Sequence, residues 1–141
     1  MRLPDSNILL YAYTPEAPQH DRARDWLAGA LSGTEPVGFA WASLLVFVRI
    51  GTKRSVFADP LGPGEALDLV EAWLAQPCAT IVHPTSRHAA LIRELLLGAG
   101  VAGDLTSDAH LAALAIEHGA TLATFDADFH RFHPMELEYL S

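Results

Sequence analysis

Three aspartates stand where a folded chain commonly gathers its chemistry. Asp5 follows the short apolar run Arg2-Leu3-Pro4, Asp126 follows the run Thr121-Leu122-Ala123-Thr124-Phe125, and Asp108 opens a helical stretch that begins at Leu105. Asp108, Leu111, Ala112 and Ala115 fall at i, i+3, i+4 and i+7, so this carboxylate shares a helical face with an apolar stripe. Alone, Asp108 has an ordinary explanation in capping or in the positive field of a first helical turn. Beside two strand-end acids it has another. In open α/β sheets functional groups collect beyond the carboxyl ends of the strands, at the crevice where strand order reverses. If the first and fourth strands are neighbours, Asp5, Asp108 and Asp126 converge there. Several carboxylates do not stay ionised together without a cation, and hard oxygen donors with room for water suit Mg²⁺ or Mn²⁺. Asp128, two residues past Asp126, is a further candidate ligand.

The elements that position these acids are legible in order. A helix through residues 7–13 follows Asp5, and a second over 19–31 carries Ala23, Trp26, Leu27 and Ala30 on its apolar side. A β-run at 37–40 leads into a largely apolar third helix over 41–50. A proline-containing connection precedes an amphipathic helix at 65–74, then a third strand at 79–83 and a helix over 87–97. The Asp108 helix stops at Gly119, its strand follows, and residues 137–140 form a short edge strand. Strands alternating with helices predict one domain over residues 1–141, an α/β three-layer sandwich with a mainly parallel central sheet.

Composition limits the function. The 141 residues are 50% hydrophobic with a formal charge of -8, a pI near 5.2 and mean hydropathy +0.20. The apolar runs are short and broken, and the first residues show no signal-peptide pattern, so a soluble, cytoplasmic protein without membrane contact is expected. The single cysteine, Cys78, excludes an internal disulfide and a cysteine zinc cluster. The acidity argues against a nucleic-acid coat protein, though a carboxylate nest is neutralised once divalent metal binds. His110 lies off the Asp108 face, His130 and His133 flank Arg131-Phe132, and His20, His83, His88 and His118 show no ligand spacing. Trp26, Trp41, Trp73 and Phe47 read as core or interface. The apolar faces around Trp26 and along residues 41–50 predict a homodimer that also binds a separate small protein.

Three segments taken together, Leu3-Pro4-Asp5-Ser6-Asn7-Ile8-Leu9-Leu10-Tyr11-Ala12, Phe47-Val48-Arg49-Ile50-Gly51-Thr52 and the stretch from Asp108 to Phe129, give the chain a resemblance to a known family. It resembles the PIN-domain ribonucleases and, among them, the VapC-type toxins of bacterial toxin–antitoxin pairs. The resemblance implies a Mg²⁺- or Mn²⁺-dependent endoribonuclease with an RNA substrate, held silent by a cognate antitoxin. It makes Asp5, Asp108 and Asp126 the catalytic, metal-holding acids, with Asp128 a further ligand. Asn7 either orients water or phosphate or caps its helix, with capping the stronger expectation. Arg49 either contacts substrate phosphate or sits as an exposed helix-end cation. The pattern departs at Val46, where family members commonly carry a glutamate.

Two other readings stay open from the residues. An aspartyl-phosphate phosphatase or receiver domain also sets aspartates at strand ends, but Asn7 occupies the place of a phosphatase's second aspartate and Lys53 is the only lysine. A PIN-like binding module with weakened catalysis draws its support from Val46. Clustered acids count against it, since a purely structural fold has no use for them.

Overall fold

A computed structural model describes all residues, Met1–Ser141. Five short strands form one parallel sheet: β1 (Arg2–Pro4), β2 (Val37–Phe39), β3 (Ala79–Ile81), β4 (Thr121–Thr124) and β5 (Glu136–Tyr139). Their order is β3-β2-β1-β4-β5, with Arg2 paired to both Val37 and Thr121. Parallel neighbours require crossover connections, and up to β4 α-helices supply them: α1 (Ser6–Ala12), α2 (His20–Ser32), α3 (Trp41–Gly51), α4 (Pro63–Leu74), α5 (His88–Ala99) and α6 (Leu105–Glu117). Strand order reverses at β1, because β2 and β3 extend to one side while β4 and β5 lie on the other. The first and fourth strands are therefore neighbours, as the convergence of the acids requires.

Side chains alternate across a strand, and the sheet separates two cores accordingly. Leu3, Leu122 and Val82 pack with α5, α6, Phe129 and Phe132 on one face. Val37, Phe39 and Ala123 pack with α1 to α4 on the other, where Trp73 lies 4.8 Å from Phe47 between ring centroids. Layers of helix, sheet and helix result, the predicted sandwich. Gly38 on β2 permits a close approach, since a Cβ there would lie 2.8 Å from Val82 Cγ1 and 2.9 Å from Met1 Sδ. Gly119, at φ 61°, ends α6 in the left-handed region that glycine enters without strain.

Expected and observed elements differ at a few ends. α4 starts at Pro63, two residues before the expected 65, because Pro63 occupies the first helical turn and Glu65 Oε1 accepts the Gly62 amide at 3.0 Å. β3 ends at Ile81, and a 3₁₀ turn, Ala127–Arg131, follows Asp126. Trp26 corrects an expectation. It is only 8% exposed; its indole N–H donates to Glu138 Oε1 at 2.9 Å, and the Arg2 guanidinium lies 4.5 Å over its ring. At Trp26 itself the α2 face is covered by this chain. On α3, Trp41 and Leu45 are exposed. No helix is long and apolar enough to cross a membrane.

Candidate active site

β1 ends at Pro4, and Asp5 turns the chain into α1. Its Oδ1 accepts the Ser6 amide at 2.7 Å and the Ser6 hydroxyl at 3.3 Å, so the carboxylate itself caps the helix. Its Oδ2 accepts the Thr124 hydroxyl at 2.8 Å. Thr124 ends β4 and is fully buried. The same hydroxyl accepts the Asn7 side-chain amide at 3.2 Å and the Asp126 backbone N–H at 2.9 Å. One donor and two acceptor sites are all a hydroxyl has, and here they join β1, α1 and the end of β4.

The expected capping role of Asn7 falls to Asp5, which precedes the helix, whereas Asn7 lies inside it. Asn7 instead bridges to β4: its Nδ2 donates to Thr124, and its Oδ1 accepts the Phe125 amide at 3.3 Å. Asp126 caps the 3₁₀ turn, with its Oδ1 accepting the Asp128 amide at 2.9 Å. Asp108 sits inside the first turn of α6, which Asp104 precedes without a side-chain cap bond. Capping does not explain it.

What surrounds Asp108 is charge. Burial first, then Asp5, Asp126 and Asp128, push its carboxyl from 3.8 up to about 7. Burial also raises Asp5, against hydrogen bonds from Thr124 and Ser6, and Asp126 adds to the rise. Asp108 thus feels the other three and Asp5 feels Asp126, and none of the four takes part in an ion pair of the chain. Asp5 and Asp108 face a cleft of about 210 Å³, shared with Ser6, Ser43, Val46, Arg49 and Ser107. Asp126 and Asp128 lie outside that lining. Ser43, Val46 and Arg49 follow at i, i+3 and i+6, so α3 turns one face to the acids, and the unpaired Arg49 guanidinium sits at the exposed end of that face. Other hollows exist, one between Tyr13, Phe47 and Phe57, without clustered acids.

The donor set fits a divalent cation in its chemistry: hard carboxylate oxygens, no cationic side chain paired with them, and one acid whose proton affinity the others raise. No three acidic, histidine or cysteine side chains are gathered closely enough to hold a metal ion among them. Such an open set suits Mg²⁺, which keeps several waters and takes one or two carboxylates directly.

The profile of the PIN domain matches residues 2–133, a span that contains all four acids. The chain belongs to the PIN-domain family. This PIN domain is 47% identical over 132 residues to ribonuclease VapC37 of Mycobacterium tuberculosis, covering 94% of this chain and 92% of that relative. It is 39% identical over 132 residues to ribonuclease VapC33 of the same organism, with the same coverage of both chains. Its fold is similar to that of VapBC2 from Rickettsia felis bound to a promoter DNA fragment. There the TM-score is 0.68 at 18% identity, over 99% of this chain and 98% of the other. For VapBC-1 from nontypeable Haemophilus influenzae the TM-score is 0.67 at 13% identity, over 98% and 96%. The phosphatase and receiver readings lose ground to this match, and Lys53 does not line the cleft.

Two features of the PIN domain escape a reading of spacing. Thr124 is one threonine in an apolar run, and only the β1–β4 pairing reveals it as the link between acids. His88 and His110, assigned no ligand role, are hydrogen-bonded at 2.8 Å, and His88 Nδ1 lies 2.7 Å from Glu117 Oε2. Desolvation and the neighbouring His88 hold His110 below its ordinary value, with Glu117 acting in the opposite sense. The available signal was the i, i+7 spacing of His110 and Glu117 on α6.

Proposed function

We propose that this PIN domain is a divalent-metal-dependent endoribonuclease acting as the toxin of a toxin–antitoxin pair. The observation that carries this reading is the group of four aspartates at the β1/β4 switch point, where burial and then the charges of Asp5, Asp126 and Asp128 raise Asp108 to about 7 and no cationic side chain forms an ion pair with them. Asp5, Asp108 and Asp126 hold the ion, with Asp128 at the rim, and the hydrated, oxygen-rich setting favours Mg²⁺ with Mn²⁺ as substitute. Bound there, such an ion lowers the pKa of a coordinated water and shields charge on a phosphodiester.

The chain's own groups do the rest. Thr124 Oγ1 fixes one Asp5 oxygen and the Asp126 amide, so the two strand-end acids keep a common register. Arg49, exposed at the cleft edge, takes a phosphate oxygen of RNA. Asp128, the exposed acid, accepts the proton of the attacking water. Asn7 supports the site by holding the end of β4 rather than by touching substrate.

The relatives named VapC and the VapBC neighbours in fold support a small antitoxin protein as partner. The exposed Trp41 and Leu45 on α3 support a homodimer. A second reading, a binding module with weakened catalysis, is favoured by Val46, which lines the cleft where family members commonly offer a glutamate. Cleavage of a labelled RNA under graded Mg²⁺ and Mn²⁺ separates the two. The nuclease reading requires metal-dependent cutting that Asp5→Asn abolishes. Intact RNA at high Mn²⁺ favours the binding module.

A further inference from the structure

Outside the acidic cleft, α5 and α6 hold a second cluster of chemistry-bearing side chains. Glu117 is fixed at both oxygens: Oε1 accepts the Thr85 hydroxyl at 2.6 Å and the Thr85 amide at 3.1 Å, and Oε2 lies 2.7 Å from His88 Nδ1. The Glu117 side chain has no exposed surface, and that of His88 is 13% exposed. An ionised carboxylate only accepts, so His88 Nδ1 carries a proton, and in the neutral ring its Nε2 presents a lone pair. That nitrogen points at His110 Nδ1, 2.8 Å away, which therefore donates.

From this geometry we propose that His88 Nε2 and His110 Nδ1 form a binding site for Zn²⁺ or a cation of similar softness, separate from the acidic site. Imidazole nitrogens suit Zn²⁺, while carboxylate and water suit Mg²⁺ and Mn²⁺, so the two sites sort cations by donor chemistry. Zn–N bonds of about 2.0–2.1 Å place two nitrogens at a tetrahedral ion roughly 3.3 Å apart. The nitrogens need to part by only about half an ångström from the observed contact, and each ring must swing so that its lone pair turns about 35° off the line between them to meet the ion. The bond between them becomes two bonds to metal: the His110 proton leaves Nδ1 and is taken up at Nε2 through water, so no net proton is released. Both rings keep some surface in water, and water fills the remaining coordination positions. Glu117 supplies what ligating histidines regularly have, a carboxylate on the other ring nitrogen that fixes tautomer and orientation, and Thr85 fixes that carboxylate in turn. Zn²⁺ held here ties α5 to α6.

The test is calorimetric titration of Zn²⁺ into the whole chain with Mg²⁺ present in excess, so that the aspartates are occupied by the harder ion. The expected result is one equivalent of Zn²⁺ at micromolar affinity, lost in His88→Gln and in His110→Gln separately. Glu117→Gln should weaken it about 10- to 100-fold. Nitrogen NMR of the wild-type histidine rings is independent of whether the variants fold: Zn²⁺ must shift His88 Nε2 and His110 Nδ1. No uptake at micromolar Zn²⁺, an affinity unchanged in both histidine variants, or shifts confined to other histidines would each overturn the proposal and leave the trio a hydrogen-bonded clamp.

Discussion

Asp108→Asn keeps the size of the side chain and removes its titration, which isolates the cost of ionising a half-buried carboxylate beside other acids. In the metal-free fold Asp108 holds its proton up to about pH 7, whereas the unfolded chain gives it up near 3.8. Between those values the native state binds more protons than the unfolded state, so this group's contribution to stability falls as pH rises through that window. Below it nothing is lost, and above it the loss is complete. At ~1.4 kcal/mol per tenfold change in proton affinity, the full displacement corresponds to ~4 kcal/mol. Asp108 is only half-buried, and solvent screening reduces this to about 1–2 kcal/mol. The stability gap between Asp108→Asn and wild type should therefore widen by about 1–2 kcal/mol from about pH 4 to about pH 8, or roughly 3–6 °C in melting temperature for a chain of this length. The assay is urea denaturation of both proteins in chelator across that range. Titrating groups away from the cluster are common to both and cancel, so the gap reads the burial of Asp108 together with the repulsion it shares with Asp5, Asp126 and Asp128. A gap that stays constant with pH, or a variant less stable than wild type at about pH 8, would refute the reasoning.

Other outcomes follow from named contacts. Val46→Glu adds an acid to the cleft, so it should lower metal-free stability yet tighten Mn²⁺ binding by at least about tenfold, or ~1.4 kcal/mol, by calorimetry; unchanged affinity would mean that position 46 does not serve the ion. Thr124→Val removes the hydroxyl that serves Asp5, Asn7 and Asp126, and should cost about 1–3 kcal/mol in urea denaturation while depressing RNA cleavage. Thr124→Ser should restore both. Gly38→Ala places a methyl 2.8 Å from Val82 Cγ1 and should cost about 1–3 kcal/mol of stability, read by thermal melting, without altering metal affinity.

The architecture was legible because strands and helices alternate along the chain and because Asp5 and Asp126 each close an apolar run. A parallel sheet then leaves few ways to arrange them, and both acids fall on one sheet edge. Asp108 was legible by its helical register with Leu111 and Ala115. Other features depend on which elements become neighbours. Thr124 acquires its role only when β4 pairs with β1, and His88 meets His110 only when α5 lies against α6, across 22 residues of chain. Trp26 looked available to a partner because its amphipathic helix predicts one apolar face. Nothing in that face reveals that Arg2 and Glu138, from the two ends of the chain, close over the indole. By residue type Asn7 is the stronger candidate for capping than for substrate contact, yet the residue two positions earlier takes the cap because its carboxylate reaches the first helical amide.

The central claim is that Asp5, Asp108 and Asp126 form one divalent-metal site. Mn²⁺ binding followed by calorimetry, in wild type, Asp5→Asn, Asp108→Asn and Asp126→Asn, tests it most directly. One Mn²⁺ should bind wild type, be displaced by excess Mg²⁺, and be weakened at least about tenfold, ~1.4 kcal/mol, by each single substitution. Mn²⁺ binding of equal strength in all four proteins would contradict it.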